Sequence, residues 1–174
     1  MLDIEKLSKE AVYDIMFQQV YVLNLGFYKI EDLVRASHPE LLKSDKYLHI
    51  MKEMGIREAK GVAKVLGILS NGIDSLIQLL QCSHWAVFET FEIKKLTEQS
   101  CRMRIIDCSA QKAAQKWGME YYECADVTHE YLRGFCDQIN RKVSVRKVFA
   151  PPEVGPKAIP VPDNVSCEWV ISIE

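Results

Sequence analysis

The chain has 174 residues, 48% of them hydrophobic, with 22 basic and 24 acidic side chains and a net charge of −2. That apolar content supports one compact domain with a real core, or two tightly packed halves. Mixed charge excludes the basic stripe a nucleic-acid binder needs, and no apolar run approaches the roughly 20 residues of a membrane-spanning helix. The start, MLDIEKLSKE, has acids where a signal peptide has a basic segment and an apolar centre. A cytoplasmic location, with no nucleic acid and no membrane among its partners, is therefore expected.

The first 80 residues read as helical. From Asp3 to about Leu25, the apolar residues Ile4, Leu7, Ala11, Ile15 and Val22 recur at near-helical spacing. Asp3 and Ser8 are both suitable caps. Gly26 is expected to break this helix, with a shorter one from Phe27 to Ser37 ended by His38-Pro39, since the residue before proline avoids the helical region. Another helix is expected from Glu40 to Met54, stopped by Gly55. From Arg57 to Leu80 a stripe including Ala59, Val62, Leu66, Leu69, Ile73 and Leu76 marks the strongest helical segment. Asn71-Gly72 lies inside it, and the sequence leaves open whether the helix breaks there.

At Gln81 the pattern changes. Trp85, Val87, Glu89, Phe91 and Ile93 alternate with their neighbours, a polar turn follows over 97–100, and Cys101, Met103 and Ile105 alternate with Arg102 and Arg104. This predicts a β-hairpin, although 83–99 also fits a helical period. Ser109 to Trp117 is a short helix capped by Ser109 and stopped by Gly118, and a longer helix runs from about Ala125 to Asn140. Val143 to Phe149 is the third strand and Ser166 to Ile173 the fourth. Between them, residues 150–164 hold five of the six prolines, so a loop is expected there, either a lid over a site or a rigid crossover. The expected fold is α+β: an N-terminal helical half (1–80), then a four-stranded antiparallel sheet with two helices inserted, ββααββ (81–174), in one compact domain.

Six cysteines without a C-x-x-C pair exclude a zinc ribbon or a thioredoxin-type motif. In a reducing compartment they are thiols, and each taken singly reads as core filler. Cys82, Cys101 and Cys136 fall on apolar faces, and Trp85, Trp117 and Trp169 are expected in the core. Cys108, Cys124 and Cys167 instead fall at or near the ends of elements. Cys124 precedes a helix, whose N-terminal amides and dipole favour a thiolate. Asp126 in the same turn opposes that effect and also reads as a simple N-cap. His129 lies three residues further on, so an Asp126–His129 pair fits a general base; equally it fits a half-exposed histidine with one salt bridge. Cys108, Cys124 and Cys167 with Asp126 or His129 would complete a four-ligand zinc or iron site if three element ends converge, but the spacing alone assigns no metal ligand. His38 and His49 show no partner, and His84 is expected to begin a strand.

The late motifs are more specific as a set. They comprise Cys108-x-x-Gln111, Gly118 ten residues after the first cysteine, Cys124-Ala125-Asp126, Ala150-Pro151-Pro152, and the closing Cys167-Glu168-Trp169. Over about the last 75 residues this set resembles bacterial and archaeal proteins of uncharacterised activity related to the L-2-amino-thiazoline-4-carboxylic acid hydrolases. The resemblance implies a hydrolase that opens a small sulfur-containing ring by adding water. Cys124, Asp126 and His129 are then the expected catalytic residues, and Cys108, Gln111, Cys167 and Trp169 the expected substrate-binding ones. Some members carry His-Pro in the late loop, where this chain has Gly155-Pro156 and Pro162-Asp163. At the level of fold alone, the chain is also similar to vinyl-reductase-type and nitric-oxide-sensor-type ligand-binding domains. Three function classes follow. One is a hydrolase of a small cyclic C–N bond; the second is a non-catalytic small-molecule or metal sensor; the third is an interaction protein whose helical half forms a homodimer face.

Overall fold

The structure, a computed structural model, describes residues 7–116, 118–140, 142–153 and 165–174. The chain divides into two units, Met1–Ser44 and Asp45–Glu174. Helices α2 and α3, which the sequence groups with the first helices in residues 1–80, are counted with the sheet.

The first unit is built on one helix, α1 (Lys9–Ser37), followed by a 3-10 turn at Pro39–Lys43. Ser8 caps α1, its Oγ accepting from the Ala11 amide at 3.1 Å. Asp3 lies outside the described residues. The expected break at Gly26 does not occur. A helix-interior glycine costs about 1 kcal/mol relative to alanine, too little to stop a helix of 29 residues. The helix ends where proline forces it to, at His38-Pro39.

In the second unit, α2 (Asp45–Leu66) begins after Ser44 and runs straight through Gly55, where a stop was expected. The reason is tertiary. A Cβ on Gly55 would collide with the Tyr131 carbonyl, and a Cβ on Gly134 would collide with the Lys52 carbonyl. The two glycines let α2 and α6 (Ala125–Asp137) cross backbone to backbone. The helix stops instead at Gly67, which has φ +66° and lets the Ile68 amide reach back to the Ala63 carbonyl at 3.0 Å. The break left open at Asn71-Gly72 is real: Gly72 is the N-cap of α3 (Ile73–Leu80).

Residues 84–88 form a short helix, α4 (His84–Phe88), so His84 does not begin a strand. The first strand, β1 (Thr90–Thr97), pairs with β2 (Ser100–Ile106) as the expected hairpin. Then come α5 (Ser109–Lys116), α6, β3 (Val143–Phe149) and β4 (Val165–Ile173). All pairings are antiparallel, in the order β1-β2-β4-β3. The fold is α+β, with a helical N-terminal part and two helices inserted in a four-stranded antiparallel sheet.

Alternation along the strands sorts the core. Cys101, Met103, Ile105, Val145, Cys167, Trp169 and Ile171 join Leu76, Leu80, Leu132, Phe135 and Cys136 in one buried cluster. The intervening positions carry a buried ion pair, Arg104 Nε to Glu168 Oε2 at 2.6 Å, between residues that are register partners on β2 and β4. Cys101, Cys136, Trp85 and Trp169 are core, as their apolar settings imply, but Cys82 is exposed at the end of α3. The Trp117 side chain and residues 154–164 of the proline-rich segment lie outside the described residues, and with them the expected lid. His38 and His49 meet Glu40 and Glu53 at 3.4 and 3.6 Å on the surface.

Candidate functional site

Three elements deliver Cys108, Cys124 and Cys167 to one region. Cys108 follows β2 after Asp107, which takes a left-handed conformation at φ 63° and turns the chain into α5. Its carbonyl accepts from the Lys112 amide at 3.1 Å, so Cys108, not Ser109, occupies the cap position of α5. Cys124 stands at the N-cap of α6. Cys167 lies on the core side of β4, paired with Ile105. Each thiol is close enough to another for a charge on one to oppose a charge on the next: Cys167 feels both Cys124 and Cys108, and Cys108 feels Cys124.

Burial decides their ionisation. It pushes the Cys108 thiol up to about 12, the Glu89 carboxylate adding to the rise. It raises Cys167 further, helped by the neighbouring Cys124 and Cys108 and opposed by the Trp169 indole, whose Nε1 donates to Cys167 Sγ at 3.3 Å. Cys124 is also raised, chiefly by burial, against hydrogen bonds from Thr128 and Gln111. The sequence leads to the opposite expectation, a thiol lowered by the helix N-terminus. Desolvation of a thiolate outweighs one helix end and two donors.

Gln111 shapes the approach to Cys124. Its Nε2 donates to the Tyr122 carbonyl at 2.8 Å and its Oε1 accepts from the Tyr122 amide at 2.9 Å. This two-point clasp fixes the chain just before α6 and leaves Nε2 3.8 Å from Cys124 Sγ. Glu89, unassigned in the sequence, acts on two of the thiols: its charge adds to the rise of Cys108 and, to a lesser degree, of Cys124. It accepts from the Ser109 amide at 2.7 Å and from the Ser109 hydroxyl at 2.6 Å, and so holds the start of β1 against the start of α5. Its only signal in the sequence was an acid within the alternating run from Trp85 to Ile93, which reads equally well as a solvated side chain.

The expected Asp126–His129 base is not assembled. Asp126 is exposed in the first turn of α6. The His129 ring nitrogens lie 3.1 Å from Glu130 Oε1 and 3.1 Å from the Val145 carbonyl, so neither is bonded to Asp126. The His129 ring does lie at the edge of the site, 6.2 Å from the Trp169 ring. Among the described residues, no group of three or more His, Cys, Asp and Glu side chains is arranged to hold a metal ion. The four-ligand set with Asp126 or His129 is therefore not formed.

A second polar cluster lies in the same unit and was missed as well. Glu58 on α2 accepts from the His84 amide at 2.5 Å, from His84 Nδ1 at 3.0 Å and from the Tyr131 hydroxyl at 2.7 Å. Burial pushes the Glu58 carboxyl up, but the bonds and charge from His84 and the bond from Tyr131 outweigh it and leave Glu58 below its ordinary value. Burial and the Glu58 charge push the Tyr131 hydroxyl well up. The cluster ties α2, α4 and α6 together.

Among the described residues, no helix is long and apolar enough to cross a membrane. Neither a curated protein nor a solved structure matches the chain. Residues 6–173, nearly the whole length, match a family of unknown function (DUF6125), and the chain belongs to that family.

Proposed function

We propose that the protein hydrolyses a C–N bond of a small thiazoline-like ring at the cysteine cluster, with Cys124 as the nucleophile and Glu89 as the proton carrier. The observation that carries this reading is the convergence on Cys124: the N-terminus of α6, the Gln111 amide at 3.8 Å, the Thr128 side chain, and the field of Glu89. The likeness of the late motifs to the thiazoline hydrolases supports the substrate class. Because burial keeps Cys124 a thiol, the reaction needs an adjacent base, and Glu89 takes the role expected of Asp126 and His129.

The thiol adds across the ring C=N bond, sulfur to carbon and its proton through Glu89 to nitrogen. The C–N bond then breaks as the leaving nitrogen takes a proton from the neighbouring amino group. Water adds to the sulfur-bound carbon, and the C–S bond breaks with return of the proton to Cys124. Gln111 and the neighbouring Cys108 and Cys167 thiols, with Trp169 holding Cys167, form the surroundings of Cys124 in this reading.

One observation favours a second reading. All three thiols are pushed toward the neutral form by burial, which suits a non-catalytic domain holding an uncharged small molecule more than a free nucleophile. Loss of 2-amino-thiazoline-4-carboxylate, followed by mass spectrometry, separates the two. Turnover by the native chain that is lost in Cys124→Ser and in Glu89→Gln, with folding unchanged, is the expected result. Turnover that survives Cys124→Ser sinks the nucleophile. No turnover, with 2-amino-thiazoline-4-carboxylate bound by the native chain in calorimetry and released in Cys124→Ser, supports the binding domain.

A further inference from the structure

Helix α1 carries a heptad seam. Tyr13, Met16, Val20, Leu23, Phe27 and Ile30 follow one another at alternating steps of three and four residues, the spacing that keeps apolar side chains on one side of a supercoiled helix. The helix is continuous across all six positions and about 43 Å long. Four of the six seam residues are well exposed: Leu23 is 72%, Ile30 64%, Met16 62% and Tyr13 60% accessible, while Val20 is 38% accessible and Phe27 half-buried. No residue from Ile15 to Tyr28 is charged. Among the described residues of this unit, the other regular element is the five-residue 3-10 turn at Pro39–Lys43, and no second helix of the unit covers the seam.

We infer that a second copy of this chain covers it, α1 packing antiparallel on α1 about a two-fold axis between Tyr21 and Val22. Three observations select a copy over a foreign helix. The seam is symmetric about that point: Tyr13 falls opposite Ile30, Met16 opposite Phe27, and Val20 opposite Leu23. Each outer layer then sets a ring against an aliphatic chain, and the central layer joins two aliphatics. A two-fold interface requires this self-match, residue i meeting j while j meets i. The positions beside the seam from Phe17 to Gly26, among them Gln19 and Asn24, carry no charge with which to select an acidic or basic partner, and the one acid on the flank, Glu31 beside Ile30, is buried. A Cβ on Gly26 would meet nothing within 4 Å, so the flank of the seam is open to close approach. The accessible area fits a pair that dissociates on dilution: Tyr13, Met16, Leu23 and Ile30, with Val20 and part of Phe27, offer less than the roughly 800 Å² per partner of a standard stable interface.

The test is the mass of the native full chain by light scattering from low to high micromolar concentration. Twice the chain mass is expected, falling to one chain on dilution. Met16→Glu and Phe27→Lys are each expected to give monomers with the sheet intact by circular dichroism. The double variant Met16→Glu/Phe27→Lys, whose new charges meet across an antiparallel pair, is expected to restore the dimer. A monomer throughout the concentration range overturns the inference, as do single variants that remain dimeric. A double variant that stays monomeric overturns the antiparallel layering. Should a variant fail to fold, amide exchange of the native chain decides: protection of α1 that falls with dilution supports the pair, and protection independent of concentration overturns it.

Discussion

Gly55 shows how much one residue's meaning depends on what lies across from it. Along the chain it resembles a helix stop. In the structure it is the contact point of two backbones, and a methyl group there meets the Tyr131 carbonyl and the Phe135 amide, neither of which can rotate away. Gly55→Ala is therefore expected to lower stability by about 1–3 kcal/mol, despite alanine's better helix propensity, while Gly61→Ala on the same helix, with open space around it, is neutral or stabilising by about 1 kcal/mol. Thermal melts of the two variants check the contrast. The cysteines separate in a similar way. Near neutral pH, iodoacetamide is expected to reach the exposed Cys82 first and Cys108 and Cys167 only after unfolding, as read by peptide mass mapping. Their raised values also fix a sign. A thiol held neutral in the fold contributes stability that is full below its ordinary value of 9.0. For Cys108 that contribution is lost as pH rises from there through about 12. Urea unfolding midpoints that stay level above pH 9 would contradict this.

At the scale of elements, polar side chains at helix starts decide what the backbone does. Glu58 reaches from α2 to the first turn of α4 and holds as a helix a segment whose alternation suggests a strand. Replacing it leaves the His84 amide and the Tyr131 hydroxyl without their acceptor, so Glu58→Ala is expected to cost about 1–3 kcal/mol. The pH dependence follows from the lowered carboxyl: its contribution is present above the ordinary value of 4.5 and is lost as pH falls through the lower folded value. Acid unfolding of the wild-type chain should therefore be steeper than that of Glu58→Gln. Glu89 does the same for α5 through Ser109. Neither carboxylate was legible as a site residue, because Glu58 meets His84 and Tyr131, 26 and 73 residues away, and Glu89 meets Ser109, 20 residues away, while the sequence shows only an acid on a helix or within an alternating run. Gln111 was legible through its fixed distance from Cys108, and the structure gives that spacing a purpose in the clasp on Tyr122.

For the whole molecule, the buried Arg104–Glu168 pair is the feature whose removal tells most about the sheet. Breaking it from one side, as in Glu168→Leu, leaves an unpaired buried charge and is expected to cost about 3–5 kcal/mol. Replacing both partners with apolar residues of similar size is expected to recover most of that loss, and a double-mutant cycle by urea unfolding measures the recovery. The self-association inferred for α1 belongs to this scale too, since the exposed Tyr13, Met16, Leu23 and Ile30 gain packing when a second helix lies against them.

The sequence by itself determined the α+β class, the order of the strands along the chain, the hairpin, and the spacing of Cys108, Gln111, Cys124 and Cys167. These rest on hydrophobic period and on local turn chemistry, which act over a few residues and so are written in the chain. Tertiary structure alone decided that Gly26 and Gly55 lie inside helices, that residues 84–88 coil before β1 begins, that the Glu89 charge reaches Cys124 while His129 turns to Glu130 and the Val145 carbonyl, and that the three thiols are held neutral. Each of these depends on desolvation or on a partner distant along the chain, and those quantities exist only once the backbone has brought distant residues together.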